Sequence, residues 1–253
     1  MVPSYHPTLF HLPSIFMPRL SVNLNKVALI RNSRGANYPD LLQVAQDCER
    51  FGAQGITIHP RPDQRHARYD DVVALKDVVT TELNIEGYPS EKFMEVVLSA
   101  RPDQVTLVPD EPGQLTSDHG WDTVGRREEL SAIIEKLKGE GIRTSIFVDP
   151  DNTILEGAVE VGTDRVEFYT GPYAAGYAED KVAAIAPFAA ASRYAAGLGL
   201  GINAGHDLNL DNLSYLVSLL PDLQEVSIGH ALISDALYYG LSNTIQLYLQ
   251  RLL

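Results

Sequence analysis

A regular alternation of short β-rich runs with segments of helical periodicity limits the folds open to this chain. The β-rich runs recur roughly every thirty residues, and apolar residues between them fall three and four positions apart, as in amphipathic helices. Leu130, Ile134 and Leu137 are one example of this spacing. The predicted strands are residues 19–25, 55–59, 84–88, 104–109, 143–149, 165–170, 200–203 and 225–229.

The composition of these runs indicates how the strands are arranged. They are apolar almost throughout, which favours a parallel sheet covered by helices. Eight strand–helix units of this length favour a closed barrel over an open doubly wound sheet. The chain has no GxGxxG after its first strand and no GxxxxGK(S/T), so dinucleotide-binding and P-loop folds lack their signatures. We expect the α/β class and a single (β/α)8 TIM barrel over residues 17–253.

Capping and breaking residues predict where several helices begin and end. Pro39 with Asp40 and Ser90 with Glu91 are typical of helix starts, and the last helix is expected to run without a break from Ala231. Its predicted apolar stripe comprises Leu237, Leu241, Ile245, Tyr248 and Leu252. The predicted helix exits are Gly52, Gly139, Gly162 and Gly197.

Charge and cysteine content exclude several function classes. The 253 residues carry a formal charge of −13, which argues against nucleic acid or an anionic membrane as a partner. The most apolar stretch, residues 182–202, is interrupted by Pro187 and Arg193, so we expect no membrane span. Cys48 is the single cysteine, which excludes an internal disulfide and favours a reducing cytoplasm.

Residues 1–16 differ from the rest of the chain. They contain three prolines and two histidines, and they lack the basic start and unbroken apolar run of a signal peptide. We interpret them as a flexible N-terminal extension, with Met17 as an alternative start, and we expect no catalytic residue there.

Polar residues cluster at the predicted C-terminal ends of the strands, where barrel enzymes build their active sites. Four histidines fall there, together with Glu86 and Glu167, and this set supplies proton donors and acceptors. The chain has no HxH or HExxH pair, so we expect acid–base chemistry without a metal. The four histidines are His59, His66, His206 and His230.

Glu86 has two open interpretations, because a carboxylate inside a barrel strand must be paired or have a raised pKa. It forms an ion pair with Arg34 or Lys26, or it acts as a general base.

Two segments predict a phosphorylated substrate. The basic loop of residues 59–66 contains Arg61, Arg65 and His66, and Gly229 precedes a helix after the last strand, a position where barrels often bind phosphate. Arg34 is a third candidate anion partner.

The ordered motifs resemble the pyridoxine 5′-phosphate synthase family of vitamin B6 biosynthesis. The resemblance extends from about residue 19 to the last helix, without a large insertion. The matching segments are VNLNKVALIRNSRG (22–35), FGAQGITIHPRPDQRH (51–66), NIEGY (84–88), LVPDEPGQLTSDHGWD (107–122), VEFYTGPYA (166–174), INAGHDLN (202–209) and SIGHALI (227–233).

The resemblance implies condensation of 1-deoxy-D-xylulose 5-phosphate with 3-amino-2-oxopropyl phosphate, giving pyridoxine 5′-phosphate, phosphate and water. It implies no metal or organic cofactor, and a homo-octamer built from dimers. By motif, His59 and Glu86 resemble the family's proton acceptors, His206 its proton donor and Glu167 its transition-state stabiliser.

The resemblance also implies substrate contacts. Those to the sugar phosphate are Arg61, His66 and Thr116, and those to the amino ketone phosphate are Asn23, Arg34, Asp207, Gly229 and His230. Many members have Asp-His where this chain has Asn25 and Lys26, which we expect still to contact the deoxyxylulose substrate. Gln64 stands where an arginine is usual.

Two other functions are compatible with the sequence besides the synthase reaction. Lys26 predicts a Schiff-base aldolase acting on a sugar phosphate, because a lysine near a strand end can attack a carbonyl. The departures at Asn25 and Lys26 are also compatible with a non-catalytic homologue that binds pyridoxine phosphate. Retention of the His and Glu set argues against a pure binder.

Overall fold

The structure, a computed structural model, describes residues 17–110 and 117–253, and it confirms the predicted (β/α)8 barrel. Eight parallel strands close in sequence order, with β1 pairing with both β2 and β8. The strands are β1 (Arg19–Asn23), β2 (Gly55–Ile58), β3 (Leu83–Gly87), β4 (Gln104–Leu107), β5 (Arg143–Val148), β6 (Arg165–Tyr169), β7 (Gly201–Gly205) and β8 (Leu223–Ile228).

Ten helices surround the barrel in the described part of the chain. They are α1 (Asn25–Asn32), α2 (Leu41–Arg50), α3 (Tyr69–Val78), α4 (Glu91–Ala100), α5 (Arg127–Gly139), α6 (Asn152–Glu160), α7 (Gly171–Gly197), α8 (Leu213–Leu219), α9 (His230–Tyr239) and α10 (Leu241–Gln250). Helix α7 is broken at Asp180, whose backbone is not helical and whose side chain accepts hydrogen bonds from the N–H groups of Val182 and Ala183.

Several predicted helix boundaries are confirmed. The Asp40 carboxylate caps α2 by accepting from the Leu42 N–H at 2.9 Å, and the Ser90 hydroxyl caps α4 by accepting from the Phe93 N–H at 3.3 Å. Helices α5 and α7 end at the predicted Gly139 and Gly197.

The prediction of one uninterrupted last helix is wrong. Gly240, with a φ of +77°, separates α9 from α10, because this left-handed conformation cannot continue a helix. Leu237 is 76% exposed and lies outside the buried stripe, whereas Ile245 and Tyr248 are buried as expected.

Two strand ends also differ from the prediction. Strand β1 stops at Asn23, whose side-chain oxygen accepts from the Asn25 N–H at 3.0 Å, so Asn25 and Lys26 open α1 instead of ending the strand. Strand β7 continues to Gly205, which places Asn203 inside the strand and His206 directly after it.

The apolar core lies between the barrel and the helices. Outward-facing strand residues such as Val22, Ile58 and Ile85 are fully buried against the apolar faces of the helices. Within the described ranges, no helix is both long enough and apolar enough to cross a bilayer.

The barrel interior below the C-terminal ends of the strands is polar, whereas such interiors are usually filled by branched apolar side chains. Arg19 and Arg143 both donate to the buried Glu82, and Arg165 Nη1 lies 3.7 Å from Glu225 Oε2. Burial, with a smaller contribution from the charge of Glu82, raises the pKa of Glu225 to about 8. Charged and hydrogen-bonding groups therefore form the floor beneath the candidate site.

Candidate active site

A cavity of about 560 Å³ opens at the C-terminal ends of the barrel strands. It brings together side chains from β1, β3, β6 and β8 and from the segments that follow β1, β2, β4, β7 and β8, as expected for a barrel of this kind. The predicted site residues that line it are Asn23, Asn25, Lys26, His59, Arg61, His66, Glu86, Glu167, His206, Asp207, Gly229 and His230.

Two predicted contacts are not among these lining residues. Arg34 is exposed in the turn after α1 and does not line the cavity. Thr116 lies outside the described residues. Their contacts with substrate stay predictions.

Glu86 is buried on β3 at the centre of the site, with 4% of its surface exposed. Its oxygens accept from Asn23 Nδ2 at 3.3 Å and from Ser227 Oγ at 3.4 Å. The hydrogen bonds described for Glu86 involve neither Arg34 nor Lys26, which argues against the predicted ion pair. Burial raises the pKa of Glu86 to about 8, partly offset by the Ser227 hydrogen bond.

Glu167 on β6 is a second buried carboxyl group. Burial raises its pKa well above the ordinary value, and the nearby Glu86 raises it further. Its Oε2 atom has no hydrogen-bond partner among the described residues. A Cβ atom at Gly205 would lie 2.3 Å from Glu167 Oε1, so a glycine is needed there for this carboxyl to keep its position.

His59 directly follows β2. Its backbone N–H donates to Asn25 Oδ1 at 2.9 Å, which fixes the position of its main chain. Burial lowers the pKa of His59 well below its usual value, and the charge of Arg61 lowers it further. His59 Nδ1 lies 4.0 Å from Glu86 Oε2, beyond hydrogen-bonding distance. With a neutral imidazole facing a neutral carboxyl group near pH 7, the two do not form an ion pair.

His206 directly follows β7 and has an unusual backbone conformation. Its φ is +81°, and the φ of the following Asp207 is +58°. The imidazole packs against Phe147 and Tyr169, with ring centroids 4.8 Å and 5.5 Å away. Burial lowers the pKa of His206, so a neutral ring predominates near pH 7.

The basic side of the cavity is formed by α1 and the loop after β2. The lining cations on this side are Lys26, Arg61 and Arg65. His66 Nδ1 accepts from the Ala67 N–H at 2.9 Å, which leaves the proton of the neutral ring on Nε2. Burial, with help from Arg61, lowers the pKa of His66 to about 4.

Other residues hold this loop in place. Arg31, buried in α1, donates to the Asp71 carboxylate at 2.6 Å and 2.9 Å and to the His66 carbonyl at 3.2 Å. Asp110 accepts from Arg61 and, at 2.6 Å, from Ser117 Oγ. These supporting groups were not identified from the sequence, because the contacts join segments that are distant along the chain.

A second electropositive region lies at the start of α9, which follows β8 and therefore lies beside β1. Gly229 and His230 line the cavity there, at a helix N-terminus whose N–H groups have no partner within the helix. A Cβ at Gly229 would lie 3.1 Å from Asn23 Cβ, so the glycine permits close packing of this turn on β1. The loop after β2 and the start of α9 thus form two electropositive regions that line the same cavity as the acid–base set.

Sequence reasoning did not identify every residue of this cavity. Ser227 lines it and donates to Glu86, and Ser117 and Leu29 also line it. Side chains alternate between the two faces of a strand, so Ser227 on β8 faces the barrel interior together with Glu225, and this pattern could have identified it. Among the described residues, no three His, Cys, Asp or Glu side chains are grouped so that they could hold a metal ion.

Comparison with known proteins gives the family. Residues 20–253 match the family model described as "Pyridoxal phosphate biosynthesis protein PdxJ". A pyridoxine 5′-phosphate synthase from Cytophaga hutchinsonii is 61% identical over 236 residues, covering 93% of this chain and 99% of that relative. Another from Parabacteroides distasonis is 59% identical over 232 residues, covering 92% and 98% of the two chains.

Solved structures with little sequence similarity share the barrel fold. Phosphoribosylanthranilate isomerase from Thermotoga maritima gives a TM-score of 0.57 at 12% identity, covering 93% of this chain and 98% of that one. A 4-hydroxy-2-oxoglutarate aldolase gives 0.62 at 20% identity, covering 94% and 96%. At these identities the likeness concerns the fold alone.

Proposed function

The chain belongs to the pyridoxal phosphate biosynthesis protein PdxJ family, and on that premise we propose that it is a pyridoxine 5′-phosphate synthase. Membership makes it an enzyme, which agrees with the expectation from its motifs. The proposed reaction joins 1-deoxy-D-xylulose 5-phosphate to 3-amino-2-oxopropyl phosphate and gives pyridoxine 5′-phosphate, phosphate and water.

The observation that carries this proposal is the arrangement of the cavity. Two buried carboxyl groups and two neutral imidazoles line the same cavity as a basic loop and a helix N-terminus. Two phosphorylated substrates need two anion-binding regions, and their condensation needs several proton-transfer groups near both.

The first chemical step is attack of the amine on the ketone of the sugar phosphate, with loss of water to give a Schiff base. His59 is suited to accept a proton in this step, because its lowered pKa leaves a lone pair free near pH 7. The hydrogen bond from the His59 N–H to Asn25 holds the acceptor in place.

The carboxyl groups respond to the charge that the reaction creates. Because burial raises its pKa to about 8, Glu86 is mainly protonated at pH 7. A protonated Schiff base nearby favours the ionised form, so Glu86 becomes a proton acceptor as the intermediate forms. Glu167, which is also buried, stabilises the same positive charge.

Later steps eliminate the sugar's phosphate and water and close the ring on the second carbonyl. Each elimination or closure needs a proton on a departing or developing oxygen. We assign this donor role to His206, whose ring must first take up a proton because its neutral form predominates near pH 7. Arg61, His66 and Thr116 are the proposed contacts to the sugar phosphate. The proposed contacts to the other phosphate are Asn23, Arg34, Asp207, Gly229 and His230.

The aldolase alternative has less support. Lys26 lies exposed on α1, not on a barrel strand, and burial is what usually lowers a lysine pKa enough for attack on a carbonyl. Borohydride trapping of the sugar phosphate on Lys26 would support this alternative, and we expect no adduct.

The test is an assay of purified protein with both phosphorylated substrates and no added metal, following pyridoxine 5′-phosphate and released phosphate together. We expect equal amounts of the two products, and large losses of rate in His59→Ala and Glu86→Gln. Glu135→Gln, which removes an exposed carboxylate on α5, is the matched control and should keep the wild-type rate. Folded wild-type protein that forms no product would overturn the proposal, and binding of pyridoxine 5′-phosphate without turnover would favour the non-catalytic homologue.

We also propose a cytoplasmic homo-octamer built from dimers, on the strength of the family resemblance. Light scattering of the purified protein measures its mass, and a monomer at micromolar concentration would contradict this assembly.

A further inference from the structure

The main chain at the end of β7 adopts a conformation that needs external support. His206 and Asp207 both have positive φ values, of +81° and +58°, in the left-handed region that L-residues with side chains avoid. Such a conformation persists only where surrounding contacts hold it.

Thr170, directly after β6, makes contacts that hold this conformation. Its hydroxyl Oγ1 lies 2.6 Å from the Gly205 carbonyl oxygen and 2.6 Å from the His206 carbonyl oxygen, and it donates its single proton to one of them at a time. Its N–H donates to the Gly205 carbonyl at 2.9 Å. Thr170 is fully buried and does not line the cavity.

The ring of His206 is constrained on its other sides by aromatic packing. Phe147 is tilted against it at 58°, and Tyr169 meets it edge-on at 78°. Tyr169 takes this position because Gly171 lacks a side chain: a Cβ there would lie 2.4 Å from the Tyr169 hydroxyl. Two neighbouring residues, Tyr169 and Thr170, thus contact the ring and the backbone of His206 respectively.

We propose that Thr170 is a positioning residue for the proposed synthase, because it holds the backbone of His206 so that the imidazole faces the reacting atoms. This inference rests on the proposed function. Without the hydroxyl, the His206 carbonyl loses its donor, whereas the Gly205 carbonyl keeps the Thr170 N–H. His206 then relaxes toward ordinary φ values, which turns the imidazole away from the cavity. Of the proposed substrate contacts, only Asp207 belongs to this segment, so substrate binding is largely retained.

The test compares variants that differ in one hydroxyl group. Thr170→Val removes it at constant shape, and Thr170→Ser restores it. For the valine variant we expect kcat to fall by about tenfold to a hundredfold, since a misplacement of about 1 Å can cost a hundredfold, while KM for both substrates stays within about threefold. The serine variant should keep kcat within about threefold of the wild type.

A matched control separates positioning from general stability. Thr123 is also fully buried, and its hydroxyl donates to the Ile154 carbonyl at 2.7 Å, away from the cavity. Thr123→Val should lower the melting temperature by an amount similar to Thr170→Val and leave kcat unchanged. If Thr170→Val does not fold, Thr170→Ala takes its place as the variant without a hydroxyl.

A direct readout keeps this inference separate from the proposed function. The ring ¹H and ¹⁵N signals of His206, assigned by comparison with His206→Gln, should move in Thr170→Val and stay in Thr170→Ser. If Thr170→Val matches Thr123→Val in kcat, or if Thr170→Ser loses as much kcat as Thr170→Val, the inference is overturned. If the wild type forms no product, the proposed function fails, and the His206 ring signals alone then support or overturn the positioning role.

Discussion

Replacing Glu86 by glutamine should stabilise the folded protein increasingly as the pH rises. Burial raises the pKa of this carboxyl from 4.5 to about 8, so between these pH values the folded chain keeps a proton that the unfolded chain has lost. Because the folded state then binds more protons, its free energy of unfolding falls as pH increases. Glutamine is neutral in both states and lacks this dependence.

The size of the effect follows from the pKa. Each pH unit between 4.5 and 8 lowers the free energy of unfolding by about 1.4 kcal/mol, so the wild type loses about 4 kcal/mol from this group between pH 5 and pH 8. The difference in unfolding free energy between Glu86→Gln and wild type should therefore grow by up to about 4 kcal/mol over that range. The amide oxygen can still accept from Asn23 or Ser227, so we expect little difference at pH 5.

Urea unfolding at pH 5, 6, 7 and 8 measures this difference, at one protein concentration so that any assembly contributes equally. Trp121, the single tryptophan, is 3% exposed and reports unfolding by fluorescence. Glu135→Gln controls for the loss of one acidic residue at the surface. A difference between Glu86→Gln and wild type that stays constant or shrinks from pH 5 to pH 8 would refute the reasoning.

Three further predictions concern other parts of the barrel. Gly205→Ala should lower kcat at least tenfold, because the new Cβ would lie 2.3 Å from Glu167 Oε1. Adding the shorter Glu167→Asp should recover part of the lost stability. Melting temperatures of the two single variants and the double variant measure this recovery. Lys26→Ala should raise KM for the sugar phosphate and make this KM less dependent on ionic strength. A wild-type KM that does not change with salt would contradict a role for this cation. Glu225→Gln should keep kcat and leave the protein at least as stable as the wild type at pH 8. The reason is that burial raises the pKa of the Glu225 carboxyl to about 8, so its ionised form is costly in the folded state. A lower melting temperature of the variant in calorimetry would show instead that the contact with Arg165 is essential.

The parts of the site that sequence could predict are those fixed by position along a strand. His59 and His206 directly follow strands, and a parallel barrel brings all strand ends to one mouth, so their convergence follows from topology. Arg34 shows the limit of this reasoning. Its motif predicts a substrate contact, but it lies in a turn beyond the end of α1, where no strand direction aims it at the cavity.

Some helix boundaries could likewise be predicted from the sequence, and one could not. Asp40 and Ser90 act on backbone groups two or three residues away, so their capping roles could be predicted from the local sequence. The break at Gly240 could not, because an isolated glycine within an apolar helical pattern is compatible with either a continuous helix or an interruption.

The sequence by itself determined the barrel, the mouth at which the polar residues meet and the family of the chain, because periodicity and motif order are properties of neighbours along the chain. Only the tertiary structure decided the protonation states and the orientation of the groups. Glu86 meets Asn23 across 63 positions of sequence and Ser227 across 141, and its pKa depends on how completely these distant segments exclude water. The left-handed backbone of His206 likewise depends on Thr170, 36 positions earlier, because a conformation that is locally unfavourable is held only by contacts that folding supplies.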